Sequence, residues 1–290
     1  MFGRRSDGVP VKGLGIIEKA GPHFMTARND GVPVKGLGII EKAGPHFMSA
    51  RNDANNSIMH PVRCEKMDAW IAEKRKEGKN YSYMDVVLAS IVRLLAVRPW
   101  LNRFVVRGKI FQRNGIHISM TVKKSLRDDS NDTVIKVAFT GNETIDEVKE
   151  KFRAEIEKAW AEETATESAG KKFTNLPQFL FRWAMGIVRW ADNRGMLPKS
   201  LIKASPVHTS VFLKNLKSIK TDAIIHHLYN FGTTTLFVAM GKEKEVPVVE
   251  NGELAVGKVM NLGINMDERG CDCFYFARSL RVWNDMFQDP

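Results

Sequence analysis

The spacing of hydrophobic positions changes several times along the chain, and each change marks an element. After Ser82, the apolar residues Met84, Val87, Leu88, Ile91, Leu94 and Leu95 recur at three-to-four spacing, which predicts a helix that Pro99 ends. A shorter helix is predicted over residues 65–76. Thr144 and Glu147 form a capping box for a long amphipathic helix running to about residue 162. Residues 103–112 read as a hairpin turning at Arg107-Gly108, with strands following at 116–122 and 133–139. A linker containing AGKK leads to an aromatic helix over 177–194. Beyond it come strands at 209–213, 234–240, 245–249 and 253–265, a turn at Asn251-Gly252, and a C-terminal helix starting near Cys271. Strands dominated by hairpins, with helices at irregular intervals, predict a mixed or antiparallel sheet covered on one side by helices.

The N-terminal part is a tandem duplication. GVPVKGLGIIEKAGPHFMTARND (residues 8–30) recurs as GVPVKGLGIIEKAGPHFMSARND (residues 31–53), with differences only at Thr26 and Ser49. Two units are too few for a stacked-repeat fold, which needs about three to bury a continuous core. The pattern predicts an arm over residues 1–53 ahead of one domain over 54–290. Because the second copy runs into Ala54 without a loop, it is expected in the native position, and the first copy is expected to be dispensable.

Composition narrows the class. A chain of 290 residues, 43% hydrophobic, can bury a substantial core. The longest apolar stretches, near 86–97 and 179–191, carry Arg93, Arg182 and Arg189 and fall short of the roughly 20 residues a membrane span needs, so no span is expected. The N-terminus lacks the apolar stretch and cleavage site of a secretory signal, and three cysteines cannot all pair, so reduced thiols and a cytoplasmic location are expected. The net charge of +11 favours an anionic partner: a nucleic acid, a phosphorylated cofactor or a membrane surface. The basic run EKRKEGK (73–79) reads as a solvated helix end. FLFRWAMGIVRW (179–190) reads as core or subunit interface, with a membrane surface as the alternative. No metal is expected, because neither the His226-His227 pair nor Cys271-x-Cys273 has a second ligand pair at zinc-like spacing.

Several segments, in order, resemble the catalytic domain shared by the dihydrolipoyl acyltransferases of 2-oxo acid dehydrogenase complexes and the chloramphenicol acetyltransferases. They are YSYMDVVLASIVRLLAVRPWLNRFV (81–105), NGIHISMTV (114–122), TSVFLKNLKSI (209–219), TTTLFVAMG (233–241) and MNLGINMDERGCDCFYFARSL (260–280), the last lying where the family carries DHRxxDG. The resemblance implies an α/β two-layer sandwich with a mixed, largely antiparallel sheet covered by helices. It also implies a homotrimer with sites between subunits, and coenzyme A or acyl-CoA as the bound cofactor. Nothing in the chain resembles a lipoyl domain, so no lipoyl group is expected on it. A small-molecule acyl acceptor is the expected substrate, and nucleic acid is not the expected partner.

In that family the signature histidine is a general base, a Ser or Thr on the "TISN" strand donates to the oxyanion, and an Asp four residues after the histidine supports the loop. Carried over by position, the base falls on Glu268, the oxyanion donor on Lys214 and the supporting carboxylate on Asp272, while Cys273 replaces the signature glycine. Only Asp272 matches the family's residue. A carboxylate is a far weaker base than the thiolate it would have to generate, unless burial raises its proton affinity. Glu268 and Lys214 are expected to face each other across one small site as an ion pair. His208, and one of His226 and His227 (His227 by preference), are the alternative bases, adjacent histidines being expected to point to different sides. The implied activity is a CoA-dependent acyltransferase with its usual base and oxyanion donor replaced. The alternative is a non-catalytic trimeric scaffold or acyl-CoA-binding pseudoenzyme.

Overall fold

The computed structural model describes residues 28–48, 50–123, 132–161 and 177–289. Most of the first repeat copy and the AGKK linker lie outside the described residues.

The main layer is a six-stranded sheet. Its strands are β2 (Asn55–Arg63), β5 (Ile116–Lys123), β6 (Asp132–Phe139), β7 (Val211–Asn215), β8 (Leu236–Glu250) and β9 (Glu253–Asp267), in the spatial order β2-β9-β8-β7-β5-β6. Pairing is antiparallel except at β5/β7 and β7/β8, which are parallel. The sheet is therefore mixed and largely antiparallel. A second, three-stranded sheet joins β1 (Gly31–Pro33) to the hairpin of β3 (Arg103–Val106) and β4 (Lys109–Arg113), in the order β1-β4-β3. The hairpin turns where predicted, with Arg107 and Gly108 both at positive φ.

Period-two alternation gives the main sheet two different faces. Ile118, Met120, Val211, Leu213, Val238, Leu262 and Ile264 point to one side and join the core beneath α2 (Glu65–Lys76), α3 (Tyr83–Val97), α4 (Ile145–Ala161) and α7 (Cys273–Gln288). Ser82 caps α3 by accepting from the Asp85 amide, and Trp283 of α7 donates its indole N–H to Ser90 at 2.8 Å, locking the two helices together. The opposite face holds a smaller apolar cluster, Phe212, Leu228, Phe237 and Ala239. The irregular chain that crosses this face lies directly on the strands, because a Cβ at Gly263 would sit 1.9 Å from the Ile224 carbonyl oxygen.

Several elements depart from the sequence expectation, the short β1 among them. β2 has no counterpart in the sequence expectation: it is an edge strand with one buried residue, Val62, and with Pro61 inside it, so it shows no clean alternation. The apolar runs at 234–240 and 245–249 belong to one strand, β8, with a register shift between Met240 and Glu243. α1 (Ile39–Phe47), in the second repeat copy, and the six-residue α6 (Lys199–Ala204) also carried no readable periodicity. The aromatic helix α5 (Gln178–Asn193) forms as expected, yet only Asp192 of it is buried, so it is not a core element of this chain.

Candidate functional site

The DERGCDC segment closes β9 and opens α7, and buried charge holds it in shape. Asp267 accepts from Nε and Nη2 of Arg269, both at 2.8 Å, and from Nε of Arg51 at 3.2 Å. Arg51 also donates to the carbonyls of Tyr229 (2.6 Å) and Gly232 (2.8 Å). The end of the second repeat copy is thereby latched to the loop that crosses the sheet. Burial lowers the proton affinity of the Arg51 guanidinium, and its ion pair with Asp267 opposes that shift. The Glu268 amide donates to the Ala54 carbonyl at 2.9 Å, which fixes the backbone at the candidate base.

Around Glu268 the structure groups Cys273 and Asn56. The thiol of Cys273 donates to Glu268 Oε1 at 3.4 Å and accepts from Asn56 Nδ2 at 3.0 Å. Burial, followed by the bond to Glu268, raises the Cys273 thiol pKa, so the residue is not poised as a nucleophile. Asp272 serves as the N-cap of α7, its carboxylate accepting from the Tyr275 amide at 2.7 Å. Cys271 is buried against Met266, and burial pushes its thiol up to about 12.

Lys214 sits elsewhere in the same chain. Its register partner on β8 is Ala239, which faces Gly263 on β9, four residues before Asp267. Strand geometry makes that about 13 Å along the sheet and about 10 Å across it, or roughly 16 Å between the Lys214 and Asp267 α-carbons. The expected Glu268 and Lys214 ion pair is therefore not made within one chain. Among the described residues neither side chain has an ion-pair partner. Burial lowers the His226 pKa, the bond to the His227 carbonyl opposes that shift, and the Lys214 charge adds to the lowering.

The two adjacent histidines stack on each other, with ring centroids 4.4 Å apart, rather than pointing to different sides. The backbone there is irregular, so strand alternation does not apply. His226 lies flat on Phe237 at 4.0 Å, while His227 is exposed. His208 is enclosed: its Nδ1 lies 2.7 Å from Ser205 Oγ and its Nε2 3.3 Å from Asp192 Oδ2. Asp192 also accepts from Arg28, which is paired with Asp30 at 2.9 Å. Burial raises the Asp192 pKa, but His208 and Arg28 outweigh it and hold the carboxyl below its ordinary value. His208 is thus part of a buried network that reaches the last residues of the first repeat copy, a link that no local pattern signals.

Among the described residues no group of three or more His, Cys, Asp or Glu side chains is arranged to hold a metal ion. The β8/β9 hairpin carries an open depression of about 300 Å³, and the core holds an apolar-lined space of about 10 Å³. Neither adjoins Glu268 or Lys214.

With the site described, comparison with solved structures gives the fold its relatives. A probable dihydrolipoamide acetyltransferase from Listeria monocytogenes 4b F2365 is similar over 89% of this chain and 94% of its own, at 15% identity and a TM-score of 0.56. The chain has the acyltransferase-core fold. The cubic core of a pyruvate dehydrogenase multienzyme complex matches over 86% of both chains, at 14% identity and a TM-score of 0.56. A chloramphenicol acetyltransferase matches over 85% of this chain and 94% of its own, at 12% identity and a TM-score of 0.50. No family model and no curated protein matches the sequence.

Proposed function

We propose that the chain is a coenzyme A-dependent acyltransferase of the cytoplasm, acting as a homotrimer with each site assembled between neighbouring copies. The observation that carries this reading is the separation of the two candidate groups. On an acyltransferase-core fold, Glu268 and Lys214 are complementary charges with no ion-pair partner among the described residues, and they are too far apart to meet within one chain. A second copy supplies what is missing. The outer half of the β8/β9 hairpin, with exposed Val249, Leu254 and Val256, gives such a copy an apolar surface to pack on.

In the proposed reaction Glu268 takes the proton from the thiol or hydroxyl of a small acceptor, whose sulfur or oxygen attacks the acyl-thioester carbonyl. The Lys214 ammonium stabilises the resulting oxyanion. Collapse expels the coenzyme A thiolate, which recovers the proton from Glu268. Asp272 acts through the loop by capping α7. The charge near Lys214 suits a phosphorylated acyl carrier, because Lys220 and Lys242 have no ion pair among the described residues. The scaffold or pseudoenzyme reading shares the same fold and replaced residues, and predicts coenzyme A binding without turnover.

Calorimetric titration with acetyl-CoA, followed by thiol release in the presence of thiol, hydroxyl and amine acceptors, tests the activity. Glu268→Gln and Lys214→Met are each expected to reduce turnover by roughly a hundredfold. Chains carrying one substitution each, dissociated and reassociated together, are expected to regain activity, because some mixed interfaces hold both native residues. Absence of coenzyme A binding refutes the acyltransferase reading. Binding and turnover with no regain on mixing refute the shared site.

A further inference from the structure

Helix α5 differs from the helices that cover the sheet in presenting its apolar arc outward. At 3.6 residues per turn, Phe179, Trp183, Ile187 and Trp190 fall on one side of it, and they are 72%, 68%, 45% and 51% exposed. Arg182 and Arg189, seven residues apart, border that arc and are exposed. Arg194 ends the helix with its guanidinium 4.2 Å from the centroid of the Trp190 ring. The only acid on the helix, Asp192, is buried and paired with Arg28. The basic apolar surface continues past the helix through exposed Met196, Lys199 and Lys203.

We propose that α5 is a membrane-surface helix that seats Phe179, Trp183, Ile187 and Trp190 at the headgroup boundary of an anionic bilayer, with Arg182 and Arg189 against the lipid phosphates. Strong amphipathicity, aromatic residues on the apolar side and basic residues beside them are what an interfacial helix requires. At 16 residues α5 is too short to span a bilayer, and no described helix is long and apolar enough to do so, so it lies in the surface plane. Charge selects the occupant. The charged residues beside the arc, Arg182, Arg189 and Arg194, are all cationic, so the arc suits an anionic partner. The same arc on another copy carries the same bordering arginines, so two such arcs do not pair face to face.

The test is flotation of the full chain with phosphatidylcholine vesicles and with vesicles that also contain phosphatidylserine. Binding is expected only to the anionic vesicles and is expected to weaken with salt. The double variant Trp183→Ala/Trp190→Ala is expected to stop floating while keeping its melting temperature, since both side chains are mostly outside the fold. Arg182→Gln/Arg189→Gln is expected to weaken binding roughly thirtyfold, about fivefold per charge. The proposal is overturned if the chain does not float, or if the tryptophan variant floats like the parent. It is also overturned if the tryptophan variant changes the sedimentation of lipid-free protein, which assigns the arc to a second copy, or abolishes oligonucleotide binding, which assigns it to nucleic acid.

Discussion

Deleting residues 8–30 removes a whole repeat copy, and with it Arg28, Asn29 and Asp30, which are docked in the structure. Arg28 and Asp30 are buried together and tied to Asp192, so Arg28→Ala in the full chain leaves two buried carboxylates short of a cation. That costs about 3 to 5 kcal/mol. At about 2 to 4 °C per kcal/mol, the melting temperature falls by about 6 °C or more. The deletion itself is expected to be much milder, because it joins Asp7 to Gly31. Arg5-Ser6-Asp7-Gly8-Val9-Pro10 and Arg28-Asn29-Asp30-Gly31-Val32-Pro33 have the same Arg-x-Asp-Gly-Val-Pro pattern. In the shortened chain Arg5 and Asp7 therefore arrive in the register of Arg28 and Asp30. Ser6 replaces Asn29, losing the 2.9 Å hydrogen bond from Asn29 Nδ2 to the Leu197 carbonyl, worth about 1 kcal/mol. The assay is thermal unfolding at fixed protein concentration, because association shifts apparent stability. The expected order is full length, then the deletion a few degrees lower, then the deletion with Arg5→Ala lower by about the Arg28→Ala penalty. A deletion as damaging as Arg28→Ala refutes the register argument. A harmless Arg28→Ala refutes the structural role of the network.

Two further predictions concern titration. His117 is lowered from 6.5 to about 4 by burial and then by Arg113 and Lys136. As pH falls from about 6.5 to about 4 the unfolded chain takes up a proton that the folded chain refuses, so stability drops across that window and His117→Asn should flatten the drop in melting temperature. Lys136 is lowered from 10.5 to about 7 by burial and then by Arg113, so by the same sign its contribution to stability rises between about pH 7 and 10.5, a rise that Lys136→Met should remove. Thiol labelling gives a third test. In the native protein only Cys273 should react, and slowly, because Cys64 and Cys271 are buried with thiols pushed up to about 11 and about 12. Glu268→Gln should speed Cys273 labelling by removing the neighbouring carboxylate. Equal rates in the parent and the variant would show that Glu268 does not control the thiol.

Much of the fold was legible because its signals are local. The capping residues at Ser82 and Thr144, the Arg107-Gly108 turn and the alternation in β5, β6 and β9 each depend on neighbours a few residues away. β2 was not legible, since an exposed edge strand containing a proline has no hydrophobic face to display. Within the candidate site, DERGCDC holds Glu268, Asp272 and Cys273 in one short stretch, where the Cys273 thiol meets Glu268 and Asp272 caps the next helix. It could not show that Lys214 lies on a different part of the sheet.

What the sequence alone determined, then, is the type and order of most of the elements and the chemistry of the residues at the end of β9. These follow from periodicity and spacing, which act over one or two turns of backbone. Only the tertiary structure decided which charges meet. Arg51 reaches Asp267 across 216 residues of chain and Arg28 reaches Asp192 across 164. The partner of a buried charge is whatever the packing of distant elements brings within a few ångströms, and no local pattern encodes that. The same reason explains the two repeat copies: their Arg-Asn-Asp ends are identical in sequence, yet one binds the end of α5 and the other the end of β9.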